Sequence, residues 1–326
     1  MANKIRNSRL FWLIKNICCL VRCDVYKEIE TLKYQQEHFM DNDGRIYLSH
    51  LRQKIVNHFT VNPELRGDYD SEINHIKNTD DLVFPYKKIK TISEPVIADL
   101  DSALNMPYVV HHGKRLYFPS QMTVKNAIGA YRNYIENECI LGGGYREKEP
   151  HKYESEKVKV EDGDVLLDIG CAEALFALEH IDKIKKAYLI ESDSYWTDAL
   201  NATFKPYADK VEIVKKYISD KDTEDSICLE TLLRNEKADN YFIKMDIEGY
   251  EHLVIKSSVK FLSGIKNVKI ACCTYHRSND FDEISTMLKD NGFSIEASDG
   301  YMIFPFGDEL KPPYFRKGIL RAKNNL

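Results

Sequence analysis

The stretch of residues 164–178 constrains the fold of this chain more than any other part of the sequence. It reads D-V-L-L-D-I-G-C-A-E-A-L-F-A-L, in which an apolar run ends at Asp168, Gly170 follows, and apolar residues then recur at helical spacing. This pattern predicts a buried strand, a tight turn and a helix. An open α/β sheet begins its ligand crevice with such a unit.

A second acidic residue supports a nucleoside ligand. Glu191 follows the apolar run 187–190, about 20 residues further on, where such folds place a carboxylate for a ribose. A carboxylate suits two hydroxyls because it has two acceptor oxygens and no donor. Only Gly170 remains of a three-glycine loop, which disfavours a diphosphate, because a diphosphate requires closer approach of the backbone.

Apolar runs alternate with helical patterns from residue 158 onward, which predicts a mostly parallel sheet covered on both faces. The final short strands suit an antiparallel edge. The predicted strands are 165–168, 187–191, 211–217, 241–246, 268–274, 293–297, 301–304 and 318–321, and the predicted helices are 175–184, 196–204, 250–257 and 282–290.

The part before residue 158 predicts helices and a hairpin. Two helices are expected within 24–59, a hairpin within 108–118 and a helix at 121–140, followed by a glycine-rich connection at 141–145 that could act as a lid. The hairpin tip carries His111, His112, Lys114 and Arg115, which are either solvated or in contact with substrate. We therefore predict an N-terminal extension at 1–90, a cap or substrate region at 91–157 and the main domain at 158–326.

Residues 10–21 are rich in apolar side chains, and the first 22 residues carry five basic residues and no acid. Lys15 and Asn16 interrupt the apolar run, which argues against a signal peptide, and the run is too short to cross a bilayer. Two interpretations stay open: a helix packed on its own domain or on a partner, or a helix on the inner face of an anionic membrane. Either interpretation fits a cytoplasmic protein.

The charge and the cysteines limit the classes of partner. A net charge of −5 and a pI near 6.1 argue against nucleic acid and favour a small molecule or glycan. Eight cysteines lack the paired spacing of a zinc site, which predicts free thiols in a reducing compartment and no bound metal.

Acidic residues follow four of the five main predicted strands. The ligand of such a sheet lies beyond the carboxyl ends of the strands, where the sequence places Asp168, Glu191, Asp220 and Asp246. Asp220, with Ser219 beside it, can accept a hydrogen bond from the amino group of an adenine.

The fourth of these strands continues into K-M-D-I-E-G-Y-E at residues 244–251. Lys244 and Asp246 lie on the same side of an extended strand, and the turn at Gly249 brings Glu248 close to the crevice. A structural interpretation also stays open, in which one acid caps the next helix and another is solvated.

His276 follows the fifth strand, between Tyr275 and Arg277. An imidazole titrates near neutral pH, which makes His276 the favoured candidate for a general base.

Together, D-I-G at 168–170, I-E-S-D at 190–193, I-S-D at 218–220, K-M-D-I-E-G-Y-E at 244–251 and T-Y-H at 274–276 resemble the FkbM family of S-adenosylmethionine-dependent methyltransferases. The resemblance covers about residues 158–304. It implies a class I methyltransferase fold, which is an α/β, Rossmann-like, mostly parallel seven-stranded sheet with helices on both faces. In this chain an N-terminal extension with helices and a hairpin precedes that fold.

The resemblance also implies positions for the cofactor, S-adenosylmethionine. Asp168 and Gly170 would line its methionine end, Glu191 its ribose, and Asp220 with Ser219 its adenine, with Asp246 nearby. The chain departs from the family pattern at Glu173, which would meet the cofactor's amino group, and at Ala174, where a glycine is usual.

The activity that the resemblance implies is methylation of a hydroxyl, often of a sugar in a glycan or glycoconjugate. His276, or one of Asp246 and Glu248, would remove the hydroxyl proton, and Lys244, Tyr275 and Arg277 would contact the acceptor. Two alternatives remain. One is an NAD-dependent sugar dehydrogenase or epimerase, disfavoured by the poor glycine loop; the other is an inactive methyltransferase-like binding module, to which Ala174 lends weight.

Overall fold

The computed structural model describes residues 42–306 and 310–324. The described chain divides into two units, with the division between Lys54 and Ile55, and the predicted division at 90 and 157 stays a prediction. The predicted helix at 10–21 lies outside the described residues, as does the cysteine-rich stretch 18–23. None of the helices in the described ranges is long and apolar enough to cross a bilayer.

Twelve strands are present in the described residues. They are β1 Ala98–Asp101, β2 Met106–His111, β3 Lys114–Tyr117, β4 Val165–Ile169, β5 Lys186–Ile190, β6 Val211–Val214, β7 Tyr217–Ile218, β8 Ser226–Ile227, β9 Asn240–Met245, β10 Asn267–Cys273, β11 Phe293–Ala297 and β12 Ile319–Asn324.

Eight α-helices accompany these strands within the same ranges. They are α1 Asn42–Val61, α2 Asp70–Asn78, α3 Val124–Arg132, α4 Leu175–His180, α5 Thr197–Phe204, α6 Leu229–Leu233, α7 Glu251–Ser263 and α8 Asp280–Asp290, with short 3₁₀ turns at Pro63–Leu65, Gly67–Tyr69 and Lys205–Tyr207 and a π turn at Asn133–Asn137.

Seven strands form one sheet in the order β11-β12-β10-β9-β4-β5-β6. β10, β9, β4, β5 and β6 are mutually parallel, while β12 runs antiparallel to both β10 and β11. This arrangement confirms the predicted mostly parallel, Rossmann-like sheet. The predicted antiparallel edge is confirmed as well, because β11 and β12 pair antiparallel at that end of the sheet.

Helices cover both faces of this sheet, as predicted. On one face Val165, Leu167 and Ile169 of β4 belong to the same buried apolar cluster as residues of α7 and α8. On the other face Phe176 of α4 stacks on Phe242 of β9, with ring centroids 5.6 Å apart. Burial of each such side chain contributes about 1.5–3 kcal/mol, so the central strands hold their carboxyl ends in fixed positions.

Two of the predicted strands are shorter or absent. The stretch 211–217 divides into β6, which pairs with β5, and β7, which pairs with β8 outside the main sheet. The stretch 301–304 forms only an isolated bridge between Met302 and Arg316. In both places the chain leaves the sheet, which a local apolar pattern does not reveal.

The predicted hairpin is confirmed as β2 and β3, to which β1 adds a third strand. Its turn consists of His112 at φ 46° and Gly113 at φ 80°, the left-handed pair that a tight two-residue hairpin turn requires. Met106 and Tyr117 of this sheet pack against Ala199 of α5, so the hairpin lies against the helices of the main sheet.

The segment before β4 is fixed beside the carboxyl end of β10. Pro150 O accepts hydrogen bonds from Ile319 N at 3.2 Å and from Ser298 Oγ at 2.6 Å. The Arg321 side chain donates to the carbonyl oxygen of Tyr153 at 2.9 Å. Residues 150–153 are therefore held next to the strand ends that carry the predicted site.

Candidate active site

Gly170 allows the loop after β4 to touch the end of β9. Its φ is +68°, and a Cβ built on it would lie 1.9 Å from the carbonyl oxygen of Asp246. No side chain fits such an approach, so glycine is required here. The next residues continue in left-handed conformations at Ala172 and Ala174, although each costs an alanine about 1–2 kcal/mol.

Ala174 is the N-cap residue immediately before α4, and its φ is 60°. It is 1% exposed, so its methyl group is packed inside the protein and does not project into an open crevice. The backbone at Ala174 therefore has the left-handed conformation that glycine favours, although the residue is alanine.

Lys244 ties β9 to this loop from within the sheet. Its ammonium lies 3.1 Å from Asp168 Oδ1 and donates a hydrogen bond to the Gly170 carbonyl oxygen at 2.7 Å. Burial by itself would lower the pKa of Lys244, but the carboxylates of Asp168 and Asp246 outweigh burial and raise it. The ammonium therefore stays charged. Lys244, a predicted substrate residue, is buried, and its ammonium contacts Asp168 and Gly170.

Glu191 follows β5 and faces the same loop. Its two carboxylate oxygens accept hydrogen bonds from Ala172 N at 3.0 Å and from Asp193 N at 2.8 Å. Burial raises the pKa of Glu191 despite these hydrogen bonds. Each oxygen keeps a further lone pair, so the group can still accept a hydrogen bond from a ligand hydroxyl.

Glu173, in the loop after β4, is almost fully buried. Burial raises its pKa to about 8, so the carboxyl group is mainly neutral at pH 7. A neutral carboxyl group has one hydrogen to donate. In contrast, Asp220 is exposed after β7, where Ser219 Oγ donates to its Oδ1 at 3.1 Å.

Asp246 lies at the centre of a polar cluster at the end of β9. Its carboxylate accepts hydrogen bonds from the hydroxyls of Tyr153 at 3.0 Å and Tyr275 at 3.2 Å. His276 Nε2 and His151 Nε2 lie 3.5 Å and 3.7 Å from the same carboxylate. Burial would raise the pKa of Asp246, but the two histidines outweigh burial and lower it. The side chain is 23% exposed, so an ionised oxygen faces the solvent side of the cluster.

His276 bridges Asp246 and a second, fully buried carboxylate. Its Nδ1 lies 2.9 Å from Glu251 Oε1, while its Nε2 faces Asp246. Burial would lower the pKa of His276, but the charge of Glu251 outweighs it, and the pKa rises to about 9. The imidazole is therefore mainly protonated at neutral pH.

Glu251 also fixes the turn that follows β9. It is the first residue of α7, and its carboxylate accepts hydrogen bonds from Ile247 N at 2.9 Å and Gly249 N at 2.8 Å. This turn holds Glu248 exposed on left-handed backbone at φ 54°. Of the acids here, Glu251 holds the turn that precedes α7 and Glu248 is exposed, while Asp246 lies in the polar cluster.

Arg277 lies outside this cluster. One guanidinium nitrogen lies 2.8 Å from His252 Nε2 and 3.9 Å from Asp280 Oδ1. The side chain is 40% exposed and runs beside Gly249, whose added Cβ would lie 3.4 Å from the Arg277 Cγ.

Sequence reasoning assigned no role to His151, Tyr153 or Glu138. His151 and Tyr153 are two residues apart, and both side chains reach the carboxylate of Asp246. Glu138 Oε2 lies 3.7 Å from His151 Nδ1 and extends the cluster away from the sheet. The H-x-Y spacing was the available signal, but nothing local indicates which strand end it reaches.

Comparison with known proteins gives a family and several similar folds. The family model described as Methyltransferase FkbM domain matches residues 126–295. No curated protein has a significantly similar sequence.

Three solved structures show partial similarity to this chain. Methyltransferase FkbM from Methylobacillus flagellatus KT has 20% sequence identity and a TM-score of 0.39, over 51% of this chain and 44% of that chain. Precorrin-6y C5,15-methyltransferase from Geobacter metallireducens GS-15 has 17% identity and a TM-score of 0.35, over 51% and 82%. A putative tRNA (m1A22) methyltransferase from Streptococcus pneumoniae has 16% identity and a TM-score of 0.35, over 51% and 66%. The match thus spans less than half the length of the first of these structures.

Proposed function

The chain belongs to the FkbM methyltransferase family and has the class I methyltransferase fold, and from this premise we propose that it methylates a hydroxyl group of a sugar in a glycan or glycoconjugate. The methyl donor is S-adenosylmethionine. One observation carries the proposal: an ionised, partly exposed carboxylate, Asp246, follows β9 with hydroxyl and imidazole groups around it.

The loop after β4 and the acid after β5 fit this cofactor. Glu191 has lone pairs available for the ribose hydroxyls. Gly170 has no side chain, so the loop after β4 can lie directly against the end of β9. Asp168 has buried carboxylate oxygens with no hydrogen bond inside the described protein, apart from its ion pair with Lys244. S-adenosylmethionine supplies an electrophilic methyl group, and Glu173, Ser219 and Asp220 are the further residues that we propose for binding it.

Asp246 is the residue that we propose to receive the acceptor's proton. Its lowered pKa keeps it ionised, so it accepts a hydrogen bond from a hydroxyl and leaves an oxygen lone pair of that hydroxyl free to attack. The proton of the acceptor hydroxyl passes to the Asp246 carboxylate as the oxygen of that hydroxyl is methylated. Most of the acceleration comes from holding the hydroxyl in the correct orientation.

His276 then acts as a positioning residue and not as the base. Its Nδ1 is held by Glu251, and a pKa of about 9 keeps it protonated. The cation stabilises the ionised form of Asp246, while the buried hydroxyl groups of Tyr153 and Tyr275 hold the orientation of the carboxylate. Glu248 remains the second candidate acceptor of the proton.

The remaining predicted substrate residues divide by exposure. Arg277 is exposed enough to meet an acceptor, whereas Lys244 is buried against Asp168. We therefore propose that Arg277 contacts the acceptor, that the buried Tyr275 acts through its hydrogen bond to Asp246, and that Lys244 positions the loop after β4.

Two variants test the proposal when compared with wild type. Transfer of labelled methyl groups to a panel of oligosaccharides and sugar nucleotides is measured, together with calorimetric binding of S-adenosylmethionine. We expect Asp246→Asn to lower turnover about 100-fold or more with cofactor binding kept. We expect Glu191→Ala to weaken cofactor binding. Asp290→Asn, an exposed acid in the last turn of α8, is the matched control and leaves both measurements unchanged.

Product analysis decides between the possible activities. A methyl ether formed at a sugar hydroxyl, identified by NMR, supports hydroxyl methylation. A labelled methyl group on a ring nitrogen or on carbon contradicts it. Wild-type turnover in Asp246→Asn would exclude Asp246 as the proton acceptor. Absence of cofactor binding would favour the inactive binding module, and reduction of NAD by a sugar would favour the dehydrogenase.

A further inference from the structure

Two adjacent histidines at the hairpin turn converge on one carboxylate of α4. His111 Nε2 and His112 Nδ1 lie 2.8 Å and 2.9 Å from the same oxygen, Glu179 Oε2. These three atoms all lie within 4.8 Å of one another. Adjacent residues of a strand normally point to opposite faces. Here the left-handed backbone of His112 turns its ring onto that of His111, with centroids 4.3 Å apart.

We propose that His111, His112 and Glu179 bind a divalent transition-metal ion, with Zn²⁺ as the best match, at a site that does not depend on the proposed methyl transfer. Two imidazoles and one carboxylate form a known three-ligand set for Zn²⁺, with a fourth position open to water. With metal–ligand distances of about 2.0–2.2 Å, donor atoms in tetrahedral geometry lie roughly 3.3 Å apart. The present contacts need to widen by only about half an ångström to reach that spacing.

The hydrogen bond of the far nitrogen supports ligation by His111. His111 Nδ1 lies 2.9 Å from the hydroxyl of Tyr131. Metal binding through Nε2 requires the hydrogen to be on Nδ1, and a tyrosine hydroxyl can accept that hydrogen bond. A partner on the second ring nitrogen is the usual way in which proteins orient a metal-binding histidine.

Charge and access also suit a cation. The Glu179 side chain is 28% exposed, so a carboxylate is available to an ion that arrives from solvent. The His112 side chain is 68% exposed while that of His111 is 2% exposed. An ion can therefore enter from solvent, and His112 can rotate outward to accommodate it.

A metal ion here would fasten the hairpin to α4. That helix directly follows the loop 171–174, and an ion pair between Lys114 and Asp182 at 2.8 Å already links the hairpin to the turn just after α4. We therefore expect binding to raise the melting temperature, because a ligand that binds the folded state stabilises it.

The test uses the full chain without a polyhistidine tag and measures Zn²⁺ uptake by calorimetry and the melting temperature. We expect His112→Ala and Glu179→Gln each to lose one equivalent of bound Zn²⁺ and the associated rise in melting temperature. Both side chains are partly or largely exposed, so the variants are expected to fold. Mg²⁺ should produce neither effect, since it prefers oxygen ligands.

Three controls locate the lost equivalent. Asp246→Asn removes a carboxylate shared by two other clusters that could hold a metal, His50→Ala removes an exposed histidine elsewhere, and serine at positions 18, 19 and 23 removes three cysteines. All three variants should keep the equivalent that His112→Ala loses. Uptake by His112→Ala and Glu179→Gln equal to that of wild type would overturn the proposal, as would loss of the equivalent in any of the controls. Anomalous scattering at the zinc edge should place the ion about 2.0–2.1 Å from His111 Nε2.

Discussion

At the scale of single residues, Gly170 combines two constraints that can be separated by experiment. It requires both left-handed backbone and the absence of a Cβ, because an added Cβ would lie 1.9 Å from the Asp246 carbonyl oxygen. Gly163 has a similar left-handed backbone, at φ +85°, but no atom lies within 4 Å of its added Cβ. The pair therefore distinguishes backbone strain from steric overlap.

We expect Gly170→Ala to lower the free energy of unfolding by about 1–3 kcal/mol more than Gly163→Ala, because overlap with a backbone oxygen forces the two loops apart. Both variants share the cost of left-handed backbone, about 1–2 kcal/mol. Denaturant unfolding measures the difference, and calorimetry should show weaker binding of S-adenosylmethionine in Gly170→Ala only. Equal destabilisation of the two variants would mean that the loops separate without cost.

At the scale of elements, the turn between β9 and α7 depends on one buried side chain. Glu251 accepts hydrogen bonds from two backbone amides of the turn and pairs with His276. Its negative charge also lies at the positive end of the α7 dipole. Three parts of the site, namely the end of β9, the start of α7 and the end of β10, are therefore joined through this carboxylate.

We expect Glu251→Gln to destabilise the protein by about 3 kcal/mol, since it removes the nearer of the two carboxylates that neutralise the buried His276 charge. It should also lower turnover, because the turn and His276 both hold Asp246 in place. The exposed acid Glu230 in the first turn of α6 provides the matched control, and Glu230→Gln should change neither property. A loss of stability with full turnover would show that the turn does not position Asp246.

At the scale of the whole molecule, the protonation of His276 couples stability to pH. Its pKa is raised from 6.5 to about 9 in the folded state. The resulting stabilisation is present in full below pH 6.5, and it is lost as the pH rises through 9. Glu173 contributes a decline in the same direction, since its raised pKa means that ionisation opposes folding as the pH rises toward about 8.

We expect the stability difference between wild type and His276→Gln to be largest below pH 6.5, at about 3 kcal/mol, and to shrink as the pH approaches 9. Denaturant unfolding across this pH range measures the difference between the two proteins. The contribution of Glu173 cancels because both proteins contain it. His50→Gln, at an exposed position, should give a curve parallel to that of wild type. A difference that is constant with pH would show that His276 is not charged in the folded protein.

Local sequence was sufficient for the elements of the sheet and for the acids at its edge. β11 matches its predicted bounds, and β4, β5, β9 and β10 lie within a residue of theirs. Such elements follow from apolar runs and turn residues that act over a few positions. The strand that leaves the sheet after β6 was missed because pairing partners are not encoded in a single run.

The sequence by itself determined the alternation of strands and helices in the main sheet, the hairpin turn at His112 and Gly113, and the acids that follow the strands. Only the tertiary structure decided what surrounds them. Tyr153 meets Asp246 across 93 positions of sequence, and His111 meets Glu179 across 68. Charge states followed from the same packing, because the protonation of His276 depends on a buried carboxylate that folding brings to it. Contacts between distant segments depend on how the layers pack, and no local pattern specifies that packing.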